Sequence, residues 1–70
     1  MMKYVVIYEK TATGYSAHIP DLPGCIAAGD TIEETEYLMQ GALAMHLAGM
    51  REDGEAIPAP TTIANYISAA

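Results

Sequence analysis

Residues 15–34 read YSAHIPDLPGCIAAGDTIEE, and the punctuation of this run decides the architecture. Tyr15, Ala17 and Ile19 alternate with Ser16 and His18, the two-residue period of a strand with one buried face. Pro20 ends that strand because it has no N–H to offer a ladder. In PDLPGC, Pro23 and Gly24 stand where a type II turn needs a φ of about −65° and then a positive φ. The chain therefore reverses and re-emerges as a short strand over residues 25–28, which Gly29 breaks. Thr31-Ile32-Glu33-Glu34 has the form of a capping box, in which the Thr31 hydroxyl accepts from the third helical amide and the Glu34 carboxylate reaches back.

Working outward from this run, Tyr4, Val5, Val6, Ile7 and Tyr8 are β-branched or aromatic and predict a strand over residues 2–9. Residues 11–14 supply the turn into the next strand, so the sheet is a three-stranded antiparallel meander. Downstream, the capping box opens a helix over residues 31–53. Its first turn is acidic and Arg51 sits in its last, the polarity the helix dipole favours. Gly54 is placed to end it in a left-handed conformation, and the IPAP run at 57–60 must be extended. Thr61 or Thr62 could cap a short last helix through residue 67; otherwise residues 61–70 form a tail. The fold class is α+β, βββα, with residues 1–60 as its domain.

The helix has an unusual outer side. Residues 37–50, YLMQGALAMHLAGM, include no Lys, Arg, Asp or Glu. At about 100° per residue, Thr35, Leu38, Met39, Ala42, Leu43, Met45, His46, Gly49 and Met50 fall on one broad half, suited to the sheet. The opposite half presents Tyr37, Gly41, Ala44 and Ala48 with Gln40 and Leu47 beside them, a heptad-like seam of small residues. Gly41 costs about 1 kcal/mol relative to alanine in a helix interior, a cost that close approach of a second helix offsets. In the first strand Tyr4, Val6 and Tyr8 lie on one face and Val5 and Ile7 on the other, and one helix covers only one of them. Tyr4 and Tyr8 are candidate sheet-face contacts.

A chain of 70 residues is too small to be comfortably stable on its own core. Cys25 is the single cysteine, which leaves association as the reinforcing device and fits a reducing cytoplasm. The apolar run between Lys3 and Glu9 is shorter than a signal-peptide core, and fourteen uncharged helical residues span about 21 Å against a hydrocarbon core of about 30 Å. Three basic and nine acidic residues give a net charge of −6, which opposes binding to a phosphate backbone and favours a basic protein partner.

Chemistry is hard to find. His18 lies on the polar face of a strand and His46 on the core side of the helix. Cys25 has no basic neighbour in sequence to lower its pKa. Asp21, Asp30 and Glu33 could gather a divalent cation, but each has a simpler role in a turn or helix start. No catalytic residue, metal ligand or cofactor is assigned.

GYSAHIPDLPGC at 14–25, GDTIEE at 29–34, ALAMHL in the helix and the closing IPAP together resemble the HicB-like antitoxins of bacterial toxin–antitoxin pairs. The resemblance implies a partial RNase H-like fold without that fold's catalytic carboxylates, and no enzyme activity. It implies a small basic RNA-cleaving toxin of the HicA type as partner, masked at its active site. Pro20, Asp21, Pro23 and Gly24 become signature positions, which the backbone reading makes structural, as it does the cap residues Thr31 and Glu34. Family members often add a DNA-binding domain. Residues 61–70, TTIANYISAA, contain no Lys or Arg and are too short for one, so no direct nucleic-acid binding is expected. The chain thus reads as a cytoplasmic, homo-oligomeric, antitoxin-like binding protein, a dimer or tetramer. Two other readings stand beside it: an orphan structural module without a toxin, and a metal-dependent nuclease supported by fold analogy alone.

Overall fold

The computed structural model describes residues 2–70. Strands β1 (Ile7–Lys10), β2 (Tyr15–His18) and β3 (Ile26–Gly29) form an antiparallel sheet in the order β1-β2-β3, and α1 (Ile32–Glu52) packs across β3 and β2. The βββα meander expected from the sequence is present, with shifted strand ends. β1 starts five residues later than predicted and runs one further. Ile7 pairs with His18, so the residues before it would face Ile19 and Pro20. The Ile19 amide is turned away to the Cys25 carbonyl, 3.2 Å distant, and Pro20 has no amide, so the ladder stops there. Gly29 does not break the sheet. It is the last residue of β3, paired with Tyr15, while Cys25 closes the preceding turn.

That turn is two turns in series. Leu22 donates to the Ile19 carbonyl at 3.0 Å, and Cys25 donates to the Leu22 carbonyl at 3.0 Å. Each has a proline in its second position, where φ is preset, and Gly24 supplies the positive φ of the second, +88°. Between the prolines, Leu22 is driven inward and joins Ala17, Ile19, Cys25 and Met39 in the core.

Thr31 caps α1, its hydroxyl accepting from the Glu34 amide at 3.0 Å. The return half of the box, from the Glu34 carboxylate, is not among the hydrogen bonds formed. The helix closes as a Schellman motif: Gly54, at φ +70°, donates to the Arg51 carbonyl and Glu55 to the Met50 carbonyl. Thr35 is fully buried, and its hydroxyl donates to the Thr31 carbonyl at 2.7 Å.

Beyond the helix the chain has no further helix or strand, so the alternative of a tail holds. Thr61 and Thr62 do not cap a helix. Both are held by Asp21, whose Oδ2 accepts the two backbone amides at 3.1 Å each and whose Oδ1 accepts the two hydroxyls at 3.0 and 2.8 Å. The Tyr4 hydroxyl donates to the Pro58 carbonyl. The tail is therefore strapped across the body up to Thr62.

Candidate interface

The faces of α1 follow from its pitch. With Met39 at the centre of the buried side and about 100° per residue, Thr35, Leu43, His46 and Met50 lie within about 40° of it. Leu47 lies about 80° to one side, and Leu38 and Met45 about 100–120° to the other. The structure follows this geometry. Leu47 packs on the core and leaves the outer seam to which the sequence reading assigned it, whereas Leu38 and Met45, expected against the sheet, are exposed. Tyr37, Gln40, Gly41, Ala44 and Ala48 are exposed as expected. Tyr37 and Met45 are 75% and 77% accessible, and nothing lies within 4 Å of where a Gly41 Cβ would stand. The outer helix face is an uncharged stripe with Tyr37 near its midline and Met45 at one edge.

The sheet's outer face is the second uncovered surface. Cross-strand register sets Ile7, His18 and Ile26 in one row, opposite the face that carries buried Ala17. Ile26 is 68% accessible. The His18 Nδ1 lies 4.0 Å from a Glu9 carboxylate oxygen, an exposed pair of little energetic weight. Tyr4 and Tyr8, expected as sheet-face contacts, pack on the core from the helix side instead. Burial, and then the charge of Glu36, push the Tyr8 phenol above its usual range.

The described residues assemble no constellation for catalysis. Among the described residues no group of three or more His, Cys, Asp or Glu could hold a metal ion. Both oxygens of Asp21 are occupied by the two threonines. Cys25 is buried with its sulfur 3.9 Å from that of Met39, and burial pushes its thiol pKa up, away from the thiolate a nucleophile needs. His46 lies half-buried in an open cleft of about 450 Å³ between Leu22, Pro23 and the C-terminal half of α1. Among the described residues, no helix is long and apolar enough to cross a membrane.

The sequence that folds into this three-stranded meander under one long helix matches, over residues 4–70, the family model described as the HicB_like antitoxin of bacterial toxin–antitoxin systems. The chain belongs to the HicB-like antitoxin family. A relative titled Antitoxin HicB 2, from Photorhabdus laumondii, is 38% identical over 61 residues, 87% of this chain and 44% of that protein. An uncharacterised 14.9 kDa protein of Haemophilus phage HP1 is 40% identical over 67 residues, 96% of this chain and 50% of that one. The chain thus spans about half the length of the curated relatives it matches. Among solved structures, a chain of a complex titled HicA3 and HicB3 toxin-antitoxin complex superposes with a TM-score of 0.74 at 28% identity, covering 86% of this chain and 70% of that one.

In this HicB-like module Pro20, Pro23 and Gly24 act through the backbone, whereas Asp21 acts through its side-chain carboxylate. The prolines and glycine shape the double turn, and Asp21 anchors the tail. Sequence reasoning missed Leu22, Ile26 and the threonine pair. Leu22 was legible as the one aliphatic residue between two turn prolines. Ile26 follows from alternation with Ala27 once Ala17 is placed inside.

Asp21 also carries a pH signature. The Thr62 amide above all, then the Thr62 hydroxyl and the Thr61 amide and hydroxyl, hold its carboxyl below the usual carboxylate range against an opposing effect of partial burial. A lowered folded-state pKa means that the strap's contribution is complete above the ordinary carboxylate range and is lost as the pH falls through the lowered value. At neutral pH, Asp21→Asn removes the second acceptor oxygen and should speed hydrogen exchange at the Thr61 and Thr62 amides by about tenfold or more, leaving α1 amides unchanged. Equal protection in the two proteins would show that Asp21 does not hold the tail.

Proposed function

We propose that this chain is the toxin-binding module of a cytoplasmic antitoxin, non-catalytic itself, which neutralises a small basic RNA-cleaving toxin of the HicA type by masking its active site. The observation that carries this reading is the superposition on a chain of a HicA–HicB complex, joined to family membership over residues 4–70. The surface is apt for the task. A net charge of −6 steers a basic partner inward, while exposed Tyr37 and Met45 supply the aromatic and apolar anchors that hold it.

Co-expression with a HicA-type toxin is the test. The chain should restore growth and co-purify with the toxin, and Tyr37→Ala should weaken the complex by about thirtyfold, the loss of a central tyrosine anchor. Persistent toxicity with no co-purification would overturn the assignment.

Self-association is the companion proposal. The seam of Gly41, Ala44 and Ala48 admits a second helix at close range, and Gly41→Leu, which meets no atom within its own chain, should shift the protein toward monomer in light scattering. An unchanged oligomer would remove the seam from the association.

A further inference from the structure

The surface area of the chain is too large for its mass. It exposes 5406 Å², whereas a compact monomer of 7.4 kDa exposes about 4,200 Å² by the scaling of folded surface with mass. Much of the surplus lies in one place. Ile63, Tyr66 and Ile67 are 90%, 98% and 93% accessible, directly after the threonines that Asp21 grips with four hydrogen bonds. Three large apolar side chains are thus presented from a fixed root.

We propose that residues 63–67 are an exchange arm, which docks on the outer sheet face of a second copy of this chain, over the shallow hollow formed by Ser16, His18, Ile26 and Ala28. Two-fold symmetry makes the exchange reciprocal, so both arms and both sheet faces are covered at once. The area agrees. A surplus of about 1,200 Å² per chain, doubled across the axis, falls in the range that stable homodimers bury. The electrostatics agree as well. Residues 61–70 contain no charged side chain and can approach an acidic copy of the same chain without repulsion, whereas a basic toxin is drawn to the carboxylates instead. The hollow is lined mainly by small residues, with space of about 490 Å³ for an aromatic ring beside Ile26.

This inference rests on the association reading above and adds a second contact surface to the helix seam, so the experiment separates the two. In sedimentation equilibrium the 70-residue chain should be a dimer. A variant with Ile63→Ser, Tyr66→Ser and Ile67→Ser should dissociate about a hundredfold more readily. Its fold should be intact by circular dichroism, because these side chains contribute almost nothing to the core. Ile26→Asp should reproduce the loss from the receiving side. A photocrosslinking residue at position 66, in a mixture of isotopically light and heavy chains, should join light to heavy at residues 26–28. A wild-type monomer at all concentrations, cross-links confined to one chain, or cross-links to a co-expressed toxin alone would each overturn the exchange. A dimer lost with Gly41→Leu and kept in the arm variant would overturn it too, and would leave the helix seam as the interface.

Discussion

Leu22→Ala should lower the unfolding free energy by about 3 kcal/mol, the usual cost of an aliphatic truncation in a site that cannot collapse. Leu22 is among the most completely buried side chains, in one cluster with Ile19, Cys25 and Met39. The backbone on both sides of it is fixed by the Ile19–Leu22 and Leu22–Cys25 turn hydrogen bonds. Neither neighbour can slide inward to fill the void, because Pro20 and Pro23 have their φ angles locked. For a domain of this length total stability is on the order of 3.5–10 kcal/mol, so the variant gives up between about a third and nearly all of it. Urea titration followed by circular dichroism measures the shift, and Leu22→Met, which conserves volume, should cost less than about 1.5 kcal/mol. If alanine and methionine behave alike, the turn does not anchor the core.

How much of this was legible beforehand depended on the range of each interaction. The helix was predicted over residues 31–53 and runs Ile32–Glu52 between its two caps, because Thr31 and Gly54 act on amides and carbonyls within five residues of themselves. The Pro23-Gly24 turn was legible for the same reason. The start of β1 was not, since it is set by where the Ile19 amide goes on another strand. Leu47, Leu38 and Met45 were misassigned because a half-circle of apolar positions has no centre until the sheet chooses one. Met39, packed with Cys25, is that centre, and its choice rotates the core-facing arc toward Leu47. The strap between Asp21 and the Thr61–Thr62 pair spans forty residues, and no local rule connects a turn aspartate to two threonines in a tail. The helix seam was visible as composition, and nothing within the chain lies within 4 Å of where a Gly41 Cβ would stand. Residues 63–67 offered only an uncharged stretch, read as a short helix or a tail, and their near-complete exposure is that of a tail.

Gly14→Ala should be the more damaging of the single-atom changes. An alanine Cβ there would collide with the Gly29 carbonyl oxygen and stand 2.9 Å from the Asp30 Cα, backbone atoms of the last residue of β3 and of the residue just after it. Relief requires moving the end of β3 away from Tyr15, where the pairing of Tyr15 with Gly29 closes the sheet. Gly29 cannot yield toward the helix, because its own Cα side lies against Thr35, whose hydroxyl would be 2.8 Å from any Cβ placed there. The collision is thus passed to the buried first turn of α1, and the expected cost is about 3 kcal/mol, the upper range for overpacking. Gly41→Ala meets nothing and should instead stabilise the lone chain by about 1 kcal/mol through helix propensity. Thermal melts of the two variants decide the matter. Destabilisation at 14 with stabilisation at 41 separates a glycine the fold requires from one it tolerates, and only the second kind can be kept for an external contact. Gly14→Ala melting like the parent chain would mean that β2 and β3 do not approach as closely as the Tyr15–Gly29 pairing sets them.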